Sequence, residues 1–127
     1  MINVFLVALG GAIGASGRYG LSAWTLRQFG SGFPLGTLLA NIIGSALMGV
    51  LVGWLASKSV DSQQSLKLFL GVGVLGGFTT FSAFTLEGFT MLQKKAYGAY
   101  AGYVSASVLL SLLALALGFA LWKFISA

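Results

Sequence analysis

Residues 71–84 read GVGVLGGFTTFSAF, and they contain the strongest structural signal in this chain. They lie in the middle of a long apolar segment, yet Gly76 and Gly77 are adjacent there and Thr79 and Thr80 follow them. Paired glycines weaken a helix, and hydroxyls can hydrogen-bond the backbone groups that a break leaves free. Small residues also serve simply to let helices pack closely. Because glycines and threonines occur together at mid-depth, we predict a broken helix.

The sequence around this stretch is that of a membrane protein. Of its 127 residues, 57% are hydrophobic and only 7% are charged, with a mean hydropathy of +0.96. Ordinary soluble domains carry roughly 25% charged residues. Apolar segments cover residues 4–26, 35–56, 66–92 and 96–122, and each has the ~20 residues needed to cross the bilayer as a helix. We predict one all-α transmembrane domain over residues 1–127. No basic residue precedes the first segment, so we expect a span and not a secretory signal peptide.

Composition leaves enzyme chemistry little to work with. Cysteine is absent, which removes disulfides and thiolate chemistry. Histidine is absent too, and with it the commonest general base and metal ligand. Asp61 and Glu87 are the only carboxylates, so paired-carboxylate catalysis and carboxylate metal cages are almost excluded. We predict that the protein is not an enzyme.

Positive charge is balanced across the predicted membrane. Four spans place both termini and the loop around residues 57–65 on one side, and the other two loops on the opposite side. The first side carries Lys58, Lys67 and Lys123; the second carries Arg27, Lys94 and Lys95, with Arg18 in addition if it faces that way. Orientation follows the excess of Lys and Arg, which is nearly absent here. We predict insertion in both orientations and an antiparallel, dual-topology homodimer, although other features could still impose one orientation.

Polar side chains recur inside the second and fourth spans. Asn41 lies within the second span, where an amide is costly unless it is hydrogen-bonded. It could join helices or donate an N–H group in a pore. In the fourth span Tyr103, Ser107 and Ser111 share one face at i, i+4 spacing and form a polar track.

In the third span, aromatic and polar side chains are interleaved. Phe78, Phe81 and Phe84 recur every three residues, which is most often simple packing or lipid contact. However, Ser82, Thr85 and Glu87 lie among these rings. Ring edges carry a positive partial charge, so such a surface can face a small anion.

Arg18 and Glu87 are the charged residues inside spans. Arg18 could snorkel to the interface or raise the anion concentration in a water-filled vestibule. Glu87 could pair with another group, cap a half-helix or carry protons.

Several motifs together resemble the Fluc family of fluoride channels, also called CrcB proteins. The most specific is GGFTTFSAF at 76–84; Gly17-Arg18, the GTLLAN run at 36–41 and the spacing of Tyr103, Ser107 and Ser111 also fit. The resemblance covers the whole chain. It implies a fluoride-selective channel that passively exports fluoride across the bacterial inner (plasma) membrane and relieves its toxicity.

The resemblance also implies particular roles. The expected partners are fluoride, the lipid bilayer and a second copy of the chain, with no nucleic acid. The backbone carbonyls of Gly76 and Thr79 would hold a structural Na⁺ on the dimer axis. Arg18 would be the vestibule arginine, and the role of Glu87 stays open. The remaining residues would line two fluoride pores: Asn41, Phe81, Phe84, Tyr103, Ser107 and Ser111, with Ser82 and Thr85 nearby.

Other functions remain open on the residues alone. A fluoride/proton antiporter or other coupled transporter needs a titratable relay, for which only Glu87 is available within a span. A small dual-topology drug transporter would use a membrane carboxylate for cations, whereas the Thr, Ser and Phe surroundings here suit anions better. A structural subunit would transport nothing.

Overall fold

The computed structural model describes residues 1–57 and 63–126. Within them every regular element is helical. The elements are α1 (Ile2–Phe29), α2 (Leu35–Ala56), α3 (Gln64–Leu66), a π-helix (Lys67–Leu75), α4 (Gly76–Phe78), α5 (Ser82–Gln93) and α6 (Tyr97–Ser126). Four helical segments are long and apolar enough to cross a membrane: α1, α2, the third span Gln64–Gln93 and α6. The predicted all-helical membrane fold is therefore confirmed. Lys58, which the count of basic residues includes, and Asp61, one of the two carboxylates, lie outside the described residues.

The ends of the spans differ modestly from the prediction. The first apolar segment was predicted to end at residue 26, before the polar residues 27 and 28, but α1 continues to Phe29. It ends where Gly30 adopts a φ of 78°, and the Gly30 N–H still donates to the Leu26 carbonyl at 2.9 Å. Positive φ is easy for glycine alone, which explains why the helix stops here and not at the first polar residue.

Glycines bring α1 against the first half of the third span. A Cβ on Gly14 would overlap the carbonyl oxygen of Val74, and one on Gly77 would lie 2.7 Å from the carbonyl oxygen of Gly11. The two backbones are therefore in direct contact. Gly77 remains within helix α4, so its role is close packing, and the break itself comes slightly later in the chain.

α2 packs along α6 in the same way. A Cβ on Gly49 would overlap the carbonyl oxygen of Leu115, and one on Gly118 would overlap that of Ala46. Small residues let two helices approach closely where lipid supplies no hydrophobic drive to associate. At the other end of this pair, Leu38 and Tyr103 join Phe84 and Met91 of α5 in the buried core.

The outer surface is apolar. Leu109 and Leu112 of α6 are 64% and 65% exposed, and Leu86 of α5 is 65% exposed. Such a surface would aggregate in water but is stable against lipid chains. The exposed surface of the spans is therefore suited to contact with lipid.

Candidate functional site

The third span is interrupted at residues 79–81. α4 ends at Phe78, Thr79 is extended with a ψ of 159°, and α5 begins at Ser82. The Leu75 carbonyl closes the first half, because it accepts the Thr79 N–H at 3.0 Å and the Thr79 hydroxyl at 2.9 Å. The predicted break is confirmed, although it follows the glycine pair by two residues.

Asn41 of α2 is bound to this break. Its Nδ2 donates to the Thr80 carbonyl at 3.0 Å, and its Oδ1 accepts the Thr80 N–H at 2.8 Å. The amide thus satisfies both backbone groups of Thr80, much as a neighbouring strand would. One N–H of the Asn41 side chain is left over for another acceptor. Asn41 was predicted as either interhelical glue or a pore donor, and this geometry allows it to be both.

The Thr80 side chain organises the start of the second half. Its Oγ1 accepts the backbone N–H of Ala83 at 3.1 Å, in the first turn of α5, and lies 3.4 Å from the Ser82 hydroxyl. This capping bond is typical of threonine just before a helix. Thr80 was not among the predicted site residues. A threonine just before the first turn of a new helical run was the available signal.

Two carbonyl groups at the break have no protein donor. Within residues 1–57 and 63–126, no hydrogen bond reaches the carbonyl oxygen of Gly76 or of Thr79. Both residues line an open cleft. The described residues contain no cluster of three or more His, Cys, Asp or Glu side chains for a metal. Free carbonyl oxygens are the ligand type that a hard cation prefers, so these two groups fit the predicted Na⁺ ligands.

Arg18 is also held by the break. Its Nε donates to the Gly77 carbonyl at 3.3 Å, and the residue is half-buried. A cation at the C-terminal end of the first half-helix is favourably placed against the helix dipole. Arg18 does not line either of the two clefts described below, so its vestibule role stays a prediction.

The first cleft, of about 510 Å³, lies beside the break and brings most of the predicted site residues together. Its walls come from the middle of α2, from the break and from α6. Of the predicted residues, it contains Asn41, Gly76, Thr79, Phe81, Phe84, Ser107 and Ser111. Phe81 is 75% exposed, whereas Phe84 is 9% exposed.

Ser107 and Ser111 supply unused hydroxyls to the first cleft. The Oγ atoms of both are buried and have no hydrogen-bond partner within residues 1–57 and 63–126. Ser82 and Thr85 are placed differently: both are exposed, and the Thr85 hydroxyl donates to the Ser82 carbonyl at 2.9 Å. They are absent from the walls of this cleft. Their contribution to a pore stays a prediction.

A column of aromatic rings leads from the first cleft. The Phe81 and Phe84 rings are 5.5 Å apart, Phe84 and Tyr103 are 5.3 Å apart, and Tyr103 meets Phe33 edge-on at 5.4 Å. Tyr103 is fully buried and its hydroxyl donates to Glu87 Oε1 at 3.0 Å. Tyr103 thus lies along this column and not in the wall of the first cleft.

A second cleft, of about 390 Å³, begins where the column ends. It is lined by Phe33, Thr37, Glu87 and Lys94, among others, and it adjoins the loops that follow α1 and α5. Glu87 belongs both to this cleft and to the bond with Tyr103. One continuous series of polar and aromatic groups therefore runs from the break to one end of the bundle.

Comparison with known proteins identifies the family. The family model described as CrcB-like protein, Camphor Resistance (CrcB), matches residues 5–119. This chain belongs to the CrcB family. All of the predicted site residues fall within the matched region. The predicted resemblance is confirmed.

Three relatives of this CrcB-family chain illustrate the similarity. A protein of Caulobacter vibrioides is 48% identical over 118 residues, covering 93% of each chain. One of Hyphomonas neptunium is 51% identical over 122 residues, covering 96% of this chain and 94% of its own. One of Ruegeria sp. is 53% identical over 119 residues, covering 93% and 92%. All three are named fluoride-specific ion channel FluC.

Proposed function

We propose that this protein is a fluoride-selective channel of a bacterial plasma membrane, through which fluoride leaves the cell passively. The observation that carries the proposal is the pair of buried, unpartnered hydroxyls of Ser107 and Ser111 in a cleft beside phenylalanine rings. A buried polar group without a partner is costly unless something occupies it part of the time. A small anion is the natural occupant, because hydroxyl and amide hydrogens and the edges of aromatic rings all present a positive partial charge.

The physics of export needs no energy-coupling machinery. Fluoride enters cells as the neutral acid and is trapped as the anion. A potential that is negative inside then drives it out, with ~2.3 kcal/mol per charge for each 100 mV. Among the described residues, no carboxylate lines the first cleft, in keeping with a passive path through this part of the protein. Conduction also requires weak binding at several sites, and the unpartnered hydroxyls of Ser111 and Ser107 offer two donors in succession.

The direct test is fluoride efflux from liposomes that contain the purified protein. A fluoride electrode records efflux down a gradient while a potassium ionophore removes the opposing voltage. Fast fluoride efflux with negligible chloride efflux in the same vesicles supports the proposal. If fluoride stays inside until detergent is added, the protein is not a channel.

The antiparallel homodimer and its central Na⁺ belong to the same proposal. One protomer offers two free carbonyl oxygens, those of Gly76 and Thr79, and a second copy would supply two more. The first cleft is open, and Phe81 is three-quarters exposed beside the break. A partner in the opposite orientation would cover this surface. The near balance of basic residues at the two ends of the bundle favours such pairing.

Dual insertion can be tested with added lysines. Two or three lysines placed in one set of loops bias orientation through the positive-inside rule. Each biased variant should lose function alone, and oppositely biased variants should recover it when they are expressed together. A strongly biased variant that works alone contradicts the antiparallel dimer.

A coupled fluoride/proton transporter is the second candidate, because of one specific observation. Glu87 is the only carboxylate within a described span, and it shares a hydrogen bond with Tyr103 of the aromatic column. A proton relay would pass through it. Movement of fluoride that sets up a proton gradient without an electrical shunt would favour this candidate over a channel.

A further inference from the structure

Two backbone N–H groups at the break are diverted from their normal helical partners. In a continuous α-helix each N–H donates to the carbonyl four residues earlier. The Thr80 N–H would therefore bond the Gly76 carbonyl, and the Ala83 N–H would bond the Thr79 carbonyl. Here the Thr80 N–H donates to Asn41 Oδ1 at 2.8 Å, and the Ala83 N–H donates to Thr80 Oγ1 at 3.1 Å.

The two carbonyls left without a donor are Gly76 and Thr79. They are the same two that the proposed function assigns to Na⁺. Backbone carbonyls away from water rarely stay unpaired. Each of these two carbonyls would therefore re-form its helical hydrogen bond if the N–H four residues later became free. One side-chain oxygen in each case keeps that N–H occupied. Asn41 does so from α2, and Thr80 does so from within the break.

We infer that Asn41 and Thr80 are positioning residues for the cation: their side-chain oxygens occupy the N–H groups of Thr80 and Ala83, which keeps the Gly76 and Thr79 carbonyls free to bind it. This inference rests on the proposed central Na⁺. It assigns the affinity for sodium to two side chains that do not themselves contact the ion. The side-chain oxygens of Asn41 and Thr80 compete with the two backbone carbonyls for the same N–H donors, and this competition keeps the helix from closing.

Thr80 offers the cleaner test, because valine has the shape of threonine and no hydroxyl. In Thr80→Val the Ala83 N–H regains the Thr79 carbonyl, and the ion loses a ligand unless it breaks that bond. Thr80→Ser keeps the oxygen acceptor and should restore normal behaviour. Ser105→Ala is the matched control, since it removes a hydroxyl from the exposed face of α6, far along the chain from the break.

The measurement is the sodium dependence of thermal stability and of dimer dissociation in detergent. Sodium replaces N-methylglucamine at constant ionic strength, and the concentration for half-maximal stabilisation is recorded. For Thr80→Val we expect this concentration to rise by about ten- to a hundredfold, because the proposed dimer has two Thr79 carbonyls and one hydrogen bond must be broken at each. Thr80→Ser and Ser105→Ala should stay within about twofold of the unmodified protein.

Asn41→Leu provides a second, independent variant if Thr80→Val does not fold. It frees the Thr80 N–H for the Gly76 carbonyl and should raise the sodium midpoint in the same direction. Fluoride flux is not the readout here, because Asn41 lines the cleft.

The outcomes separate the inference from the proposal beneath it. If the unmodified protein responds to sodium and Thr80→Val has the same midpoint, the positioning role is wrong and the central ion stands. If the unmodified protein shows no response to sodium at all, both are wrong. A raised midpoint in Thr80→Val that Thr80→Ser restores supports both.

Discussion

Removing the hydroxyls of Ser107 and Ser111 should slow fluoride transport without lowering the stability of the protein. Both Oγ atoms are buried without a partner, and an unsatisfied buried polar group costs ~1–3 kcal/mol. Alanine at either position removes that cost, so the free energy of unfolding should stay unchanged or rise. A hydrogen bond to an ion contributes ~1.5–3 kcal/mol, which the passing anion would lose. At ~1.4 kcal/mol per factor of ten, fluoride flux should fall by about ten- to a hundredfold.

The assay combines liposome flux with thermal melting of the same preparations. Fluoride efflux is recorded for Ser107→Ala, Ser111→Ala and the double variant, with Ser105→Ala as the control for loss of an exposed hydroxyl from α6. A slow but stable double variant would agree with the assignment. If the double variant conducts fluoride at the unmodified rate, these hydroxyls do not bind the ion and the first cleft is not its path.

Three further predictions concern other parts of the structure. Glu87→Gln keeps a hydrogen-bond acceptor for the Tyr103 hydroxyl but cannot titrate; electrical fluoride current should persist, whereas complete loss of transport would favour proton coupling. Gly49→Ala should lower the free energy of unfolding by ~1–3 kcal/mol, because the added Cβ would overlap the Leu115 carbonyl. Gly20→Ala is the control: its added Cβ meets nothing within 4 Å, so the melting temperature should stay the same or rise slightly. Arg18→Met should destabilise the break by removing the donor to the Gly77 carbonyl, and Arg18→Lys should only partly restore the melting temperature, because lysine lacks the guanidinium Nε; equal stability of all three would remove this role.

Much of the fold follows from composition and short-range pattern. The number of spans and their approximate ends were predictable because ~20 apolar residues are needed to cross a bilayer, and few polar residues separate the segments. The break was predictable because Gly76, Gly77, Thr79 and Thr80 occur together in mid-span. The exact position of the break, two residues after the glycine pair, was not predictable, because Gly77 contacts α1 and remains helical.

The site was only partly predictable. Spacing alone put Ser107 and Ser111 on one face, and both line the first cleft. Thr80 contributed to the prediction of the break but was not predicted as a site residue, because its neighbours Ser82 and Thr85 are equally polar. The difference between them is local geometry: Thr80 lies in the extended segment, where its hydroxyl reaches the Ala83 N–H, while the Thr85 hydroxyl bonds its own helix.

Composition and residues close together in the chain were enough to establish that this protein crosses a membrane four times, has few groups for enzyme catalysis and interrupts its third span. The packed helices were needed to show that Asn41 binds the backbone of Thr80, 39 residues away, and that Arg18 reaches Gly77. Such bonds depend on the depth and rotation of each helix against its neighbours. Close glycine contacts set both, and no local pattern records which glycine will meet which carbonyl.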